Sequence, residues 1–221
     1  MPSERSSRGD IAERILEHAT KLFAARGFVG ASLRDIARSV GIRKPSLLYH
    51  FPSKDDLRRR VLEQMLSHWN DVVPRILRAA TSGQEQFDAI ARETIAFFSE
   101  SPDRARLLLR ELLDRPDEMR PLIELHVEPW ARIVCDYIRK GQEQGRVHPD
   151  VDPEAYVVQI INLVLCGIAI AESIGKMLPE HREQGCGISQ RHLAEMMRVA
   201  KSSLFISPAA QPATDQEAQM G

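Results

Sequence analysis

Residues 41–57 read GIRKPSLLYHFPSKDDL. A basic pair, Arg43-Lys44, leads into Pro45, an apolar doublet and Tyr49-His50-Phe51, and after Pro52 the run Ser53-Lys54-Asp55-Asp56 begins at once. Pro45 suits the first turn of a short helix over residues 44–49, where its missing N–H would have had no helical partner. Ser53 with Asp56 three residues on is a helix cap. A long helix then follows from Lys54 through Leu57, Val61, Leu62, Met65, Leu66 and Trp69, to be kinked or ended by Pro74.

Upstream, residues 10–26 predict a helix. Asp10 and Glu13 resemble a capping box, and Ile11, Ile15, Ala19, Leu22 and Phe23 follow helical spacing. Gly27 suits the position just past its end. Ser32 with Asp35 caps a second helix whose inner face is Leu33, Ile36 and Val40, and Gly41 ends it. A helix, a glycine turn and a short helix at this spacing are a helix-turn-helix. Ile36, Val40, Leu47 and Phe51 supply a small core shared with the first helix. A unit this small is marginal alone, so it should lean on the helix beginning at Lys54.

The remainder keeps helical periodicity: residues 84–100, 102–113, 117–145 with a bend at Pro129, 155–175 after Asp152-Pro153-Glu154, and a last helix capped by Ser189. With about nine helices and no strand, the expected class is all-α: an N-terminal three-helix helix-turn-helix domain plus a C-terminal helical bundle. The expected boundaries are 1–55 for the first domain with a flexible arm at 1–9, 56–206 for the second, and a disordered tail at 207–221.

The chain has 221 residues, long enough for a sizeable core, and its 43% hydrophobic and 28% charged content is that of a soluble globular protein. Net charge is −1, but residues 1–60 hold 13 Lys+Arg against 7 Asp+Glu, while the rest holds 17 against 24. A basic N-terminal block on an acidic remainder is the footprint expected of a polyanion-binding end. Three well-separated cysteines, Cys135, Cys166 and Cys186, argue against a disulfide framework and fit a reducing cytoplasm. There is no secretory h-region, and the most apolar run, residues 155–171, is short for a membrane span and interrupted by Gln159 and Asn162. No nucleophile elbow, phosphate loop or zinc-protease motif occurs, so neither an enzyme nor a cofactor is expected. His181, Cys186 and His192 are spaced too irregularly for a metal site.

Arg43 and Lys44 stand at the start of the third helix, where backbone N–H groups also favour phosphate. Ser46 is small enough to meet a base edge or a phosphate. Tyr49 and His50 can bond phosphates from the helix end, and Lys54 can clamp the opposite flank. Ser32 and Arg34 open the second helix, which crosses the DNA backbone in such motifs. Taken singly, His50 or Tyr49 could be a core residue with a satisfied polar tip. Their combination with the basic pair is what points to nucleic acid.

Residues 41–57, with HATKLFAARGFVGASLRDIARSVG upstream, resemble the helix-turn-helix signature of the TetR/AcrR family of bacterial transcription regulators. The resemblance covers about residues 10–65, with Gly41, Leu47, Tyr49, His50, Phe51, Lys54 and Leu57 in register. It implies a homodimer on a palindromic double-stranded operator, with Lys44, Pro45, Ser46, Tyr49, His50 and Lys54 facing DNA. It further implies a small-molecule pocket among the C-terminal helices, and a ligand that moves the helix starting at Lys54. Leu48 departs from the pattern, standing where the family usually has a tyrosine. Either that phosphate contact is lost, or Leu48 touches a thymine methyl or sugar, and Arg43 supplies the missing contact.

Residues 155–171 are apolar on nearly every face and so must bury two sides. Val157, Ile161, Val164 and Ile168, with Met196, Met197 and Leu204 of the last helix, are the expected dimer interface, the other reading being a central helix of a monomeric bundle. Trp69, Phe87, Phe97, Phe98, Met119, His126, Trp130 and Asn162 are the expected pocket residues. The expected function is a sequence-specific DNA-binding regulator, a repressor released by a small molecule. The alternatives are a ligand-independent dimeric DNA binder or an activator.

Overall fold

The computed structural model describes residues 3–79, 82–171, 173 and 190–206, with side chains from Asp10 onward. Ten helices occupy the described residues: α1 Ser3–Gly30, α2 Leu33–Val40, α3 Lys44–His50, α4 Lys54–Ala79, α5 Gly83–Glu100, α6 Pro102–Asp114, α7 Pro116–His126, α8 Glu128–Glu143, α9 Pro153–Ala169 and α10 Gln190–Leu204. Among the described residues the sole β-type pairing is one antiparallel bridge, Val147 to Phe205. The all-α class is confirmed. Ser189, His181, Cys186 and the segment 207–221 lie outside the described residues.

The local signals explain most element ends. Ser32 accepts the Asp35 N–H at 3.1 Å, Ser53 accepts that of Asp56 at 3.0 Å, and Asp152 accepts that of Ala155 at 2.9 Å. Gly41 stops α2 at φ 81°, a conformation that needs no Cβ, and its N–H bonds back to Arg38. Gly27, at φ 71° and ψ 170°, breaks α1 three residues before its end.

Three expectations are corrected. The first helix starts at Ser3 rather than Asp10. Pro74 does not end α4, which continues to Ala79. The single helix expected over 117–145 is two, divided at Val127, because Pro129 has no N–H to extend the first and its ring crowds the preceding turn. A full capping box at Ser82 and Glu85, which starts α5 at Gly83, was not anticipated.

One hydrophobic cluster runs through the molecule. It takes Ile15, Ala19 and Phe23 from α1, Ile36, Ala37 and Val40 from α2, and Leu47 and Phe51 from α3 and its end. It continues through Leu57, Val61, Leu62, Met65 and Trp69 of α4 into Leu107 and Leu108 of α6 and Leu165 and Ile168 of α9. The small helix-turn-helix unit therefore leans on α4 as expected, and on α6 as well, against which α1 packs. No helix among the described residues is long and apolar enough to cross a membrane.

Candidate DNA-binding surface and internal cavity

Helix α3 is seven residues long and amphipathic in the simplest way. Leu47 is fully buried and Phe51, one turn on, nearly so; the pair anchors the helix to α1 and α2. Everything else on it turns outward: Arg43, Lys44, Pro45 and Ser46 are exposed, Leu48 and His50 are half-buried, and Tyr49 is 70% exposed. Tyr49 is thus not a core residue. Its ring meets that of His50 edge-on at 5.5 Å. Arg43 and Lys44 form no ion pair among the described residues, so their charge is uncompensated by the chain itself.

Two expected contacts look different in three dimensions. The Ser32 hydroxyl is committed to the α2 cap, accepting from the Asp35 N–H and donating to the Asp35 carboxylate at 2.7 Å. The hydrogen bond from Ser32 holds the Asp35 carboxyl below its usual range. Arg34 beside it is exposed. Lys54 does not reach outward: its ammonium lies 4.3 Å over the Phe28 ring and 3.5 Å from the Val29 carbonyl, and partial burial lowers its pKa.

Phe28 itself was missed by sequence reading. It sits just past the Gly27 break, with the guanidinium carbons of Arg115 at 4.4 Å and Arg58 at 5.4 Å from its ring centre, in addition to Lys54. Arg58 is 5% exposed and donates through Nε to Glu111, which is 2% exposed, at 2.6 Å. It also donates to Glu118, which Arg115 holds from the other side at 2.8 Å. Burial pushes the Glu118 carboxyl up, but Arg58 and Arg115 outweigh it and hold it below its usual value. Glu111 is therefore a buried ion-pair partner and not a solvated surface acid. The signal was available: Arg58 lies beside Leu57 and one turn before Val61 and Leu62, and Glu111 one turn after Leu107 and Leu108, so both stand on apolar stripes.

Between α4 and α10 lies a cavity of about 850 Å³. Of the expected pocket residues, Trp69, Phe87, Phe98, Met119, Trp130 and Asn162 line it; Phe97 and His126 do not. Phe97 instead stacks on His68 at 4.6 Å, under the Arg104 guanidinium. The dimer expectation needs a larger correction. Val157, Val164, Ile168, Met196 and Leu204 are buried within the single chain, and all but Ile168 line the cavity, together with Ile161 and Met197. A helix that is apolar all round gives no sequence signal for which face turns inward. The residues left exposed include Val158, which also edges the cavity, and Cys166 on α9, Ile170 just past its end, and Val199 on α10.

A basic, uncompensated helix held against a three-helix unit defines a helix-turn-helix DNA-binding protein with a cavity-bearing helical body. Comparison with known sequences gives the family. The model described as "Bacterial regulatory proteins, tetR family" matches residues 15–61, and "Tetracyclin repressor-like, C-terminal domain" matches residues 107–182. The chain belongs to the TetR family and is a DNA-binding transcription regulator, not an enzyme. It is 26% identical over 153 residues to the biofilm operon icaADBC negative transcriptional regulator IcaR of Staphylococcus epidermidis, covering 69% of this chain and 77% of that one. It is 29% identical over 139 residues to the transcriptional regulator LmrA of Bacillus subtilis, covering 61% and 74%. Its fold matches that of the ketosteroid transcriptional regulator KstR2 of Mycobacterium tuberculosis with a TM-score of 0.70 at 18% identity, over 89% of this chain and 95% of that one.

Proposed function

We propose that this regulator is a cytoplasmic homodimeric repressor that occupies a palindromic operator and leaves it when a small molecule fills the cavity. The observation that carries this reading is the double membership of α4. Its first half (Leu57, Val61, Leu62) belongs to the core under the helix-turn-helix, and its second half (Leu66, Trp69, Val73, Leu77) walls the cavity. A molecule that spreads the second half acts on the unit resting on the first. A body that served only to dimerise would have no need of such a space, so the cavity favours sensing over a ligand-independent binder. The negative regulation in the name of the IcaR relative supports repression.

In this reading residues 1–55 bind DNA and 56–206 sense and dimerise. Arg43, Lys44, Pro45, Ser46, Leu48, Tyr49 and His50 face the operator, with Arg34 on its backbone. The outward apolar positions Val158, Ile170 and Val199 supply the dimer contact, and bound recognition helices sit about 34–36 Å apart, one DNA turn. The test is to sequence the genomic fragments the pure protein retains, then measure affinity for the recovered palindrome against a scrambled duplex. Equal affinity for the two would sink sequence-specific binding. Arg43→Ala should weaken operator binding and reduce its salt dependence by about one counterion per subunit; an unchanged slope removes Arg43 from the phosphate contacts.

A further inference from the structure

The cavity constrains the chemistry of what it can hold. Its wall runs along α4 from Leu66 to Leu77, a rise of about 16 Å at 1.5 Å per residue, and from Val127, which divides α7 from α8, along α8 to Gly141. Its lining follows both helices over that length, so the space of about 850 Å³ has room for an extended ligand. Three of its polar side chains already donate to the chain's own carbonyls: Gln86 to Leu77 at 2.9 Å, Thr94 to Ile90 at 2.8 Å and Tyr156 to Ala200 at 2.6 Å, while the indole N–H of Trp130 is buried without a hydrogen-bond partner among the described residues. An apolar body therefore enters without breaking any of these three bonds.

Charge decides the rest. Among the described residues that line the cavity there is no aspartate and no glutamate. The charged lining residues are Lys140 and Arg146, both exposed and both at one end, where α8 gives way to the segment around Gly145. Neither pairs with a carboxylate among the described residues; Arg146 bonds only to the neutral side chain of Gln144. Lys201, nearer α5, is already matched by Asp88 at 2.8 Å. A cation drawn into this space would lose its hydration with no counter-charge, while an anionic group stopping at the Lys140–Arg146 end would gain two.

We propose that the effector is an elongated amphiphile, with an apolar body lying along α4 and α8 and an anionic head at Lys140 and Arg146. This rests on the ligand-sensing reading above. Both tryptophans of the chain, Trp69 and Trp130, line the cavity, so intrinsic fluorescence reports its occupancy directly. Three probes separate the chemistry: dodecanoate, methyl dodecanoate and dodecyltrimethylammonium, each below its micelle concentration. Dodecanoate should bind about tenfold more tightly than the ester, the gain expected of two partly exposed ion pairs, and the cation should bind least. The double variant Lys140→Gln/Arg146→Gln should abolish the preference for the acid and leave the ester's affinity as it was, which also verifies the fold.

Binding of the cation as tight as that of the acid, survival of the preference in the double variant, or binding by none of the three would overturn the assignment. Operator affinity measured in parallel keeps the two readings apart. If the acid binds with the stated preference but does not release DNA, ligand release falls and the ligand class stands. If the cation binds and releases DNA, sensing stands and the class falls.

Discussion

Removing the Arg58 charge should damage this protein more than removing that of its partner Glu111. Glu111 is 2% exposed, and Arg58 is the one cation bonded to it among the described residues. Arg58→Met leaves that carboxylate buried without a counter-charge, a loss of about 3–5 kcal/mol. Glu111→Gln leaves Arg58 with Glu118 as a second anion, and the amide oxygen can still accept from Nε, so the loss falls to about 1–3 kcal/mol. The double variant Arg58→Met/Glu111→Leu puts two apolar side chains where the pair was and should recover most of the loss. The assay is urea unfolding at one fixed protein concentration, since any self-association would add to apparent stability. The reasoning is refuted if Arg58→Met costs less than Glu111→Gln, or if the double variant is no better than the worse single one.

Gly41→Ala should lose about 1–2 kcal/mol of stability, because no atom lies within 4 Å of the added methyl and the whole effect is the left-handed backbone; a neutral urea midpoint would contradict it. Glu118 has a lowered folded pKa, so its contribution is present above its ordinary value of 4.5 and lost as pH falls through the lowered one. Glu118→Gln should therefore flatten the acid limb of a stability–pH curve, and an unchanged limb would remove this residue from it. Gly141→Ala would set a methyl 2.6 Å from the Val147 side chain, beside the Val147–Phe205 bridge. The expected cost is about 1–3 kcal/mol by thermal unfolding, with the fold retained.

The fold was legible where one residue type settles one backbone conformation. Gly41, Ser32, Ser53 and Asp152 fix their element ends by short-range chemistry, and all four act as read. The outward face of α3 was equally plain, because Leu47 and Phe51 leave only one way to turn it. What was not legible depends on packing between distant segments. Helix α9 is apolar on nearly every side, so its inward set could not be told from its outward one. Lys54 reads as a free flank cation until Phe28, on the far side of the Gly27 break, is placed beneath it. Phe97 and Phe98 are adjacent in sequence, yet only the second faces the cavity. Arg58 and Glu111, 53 positions apart, become partners only once α4 and α6 are brought together.

Because α4 is at once a wall of the cavity and a support of the helix-turn-helix, the proposed switch makes a cavity ligand and the operator compete through one helix even though they never meet. Any molecule that weakens operator binding by about tenfold must itself be held about tenfold less tightly by the DNA-bound protein. The operator is then an antagonist of the effector. The concentration at which the switch turns is set by how many operators and how much stray DNA the protein is sitting on, and not by the cavity alone.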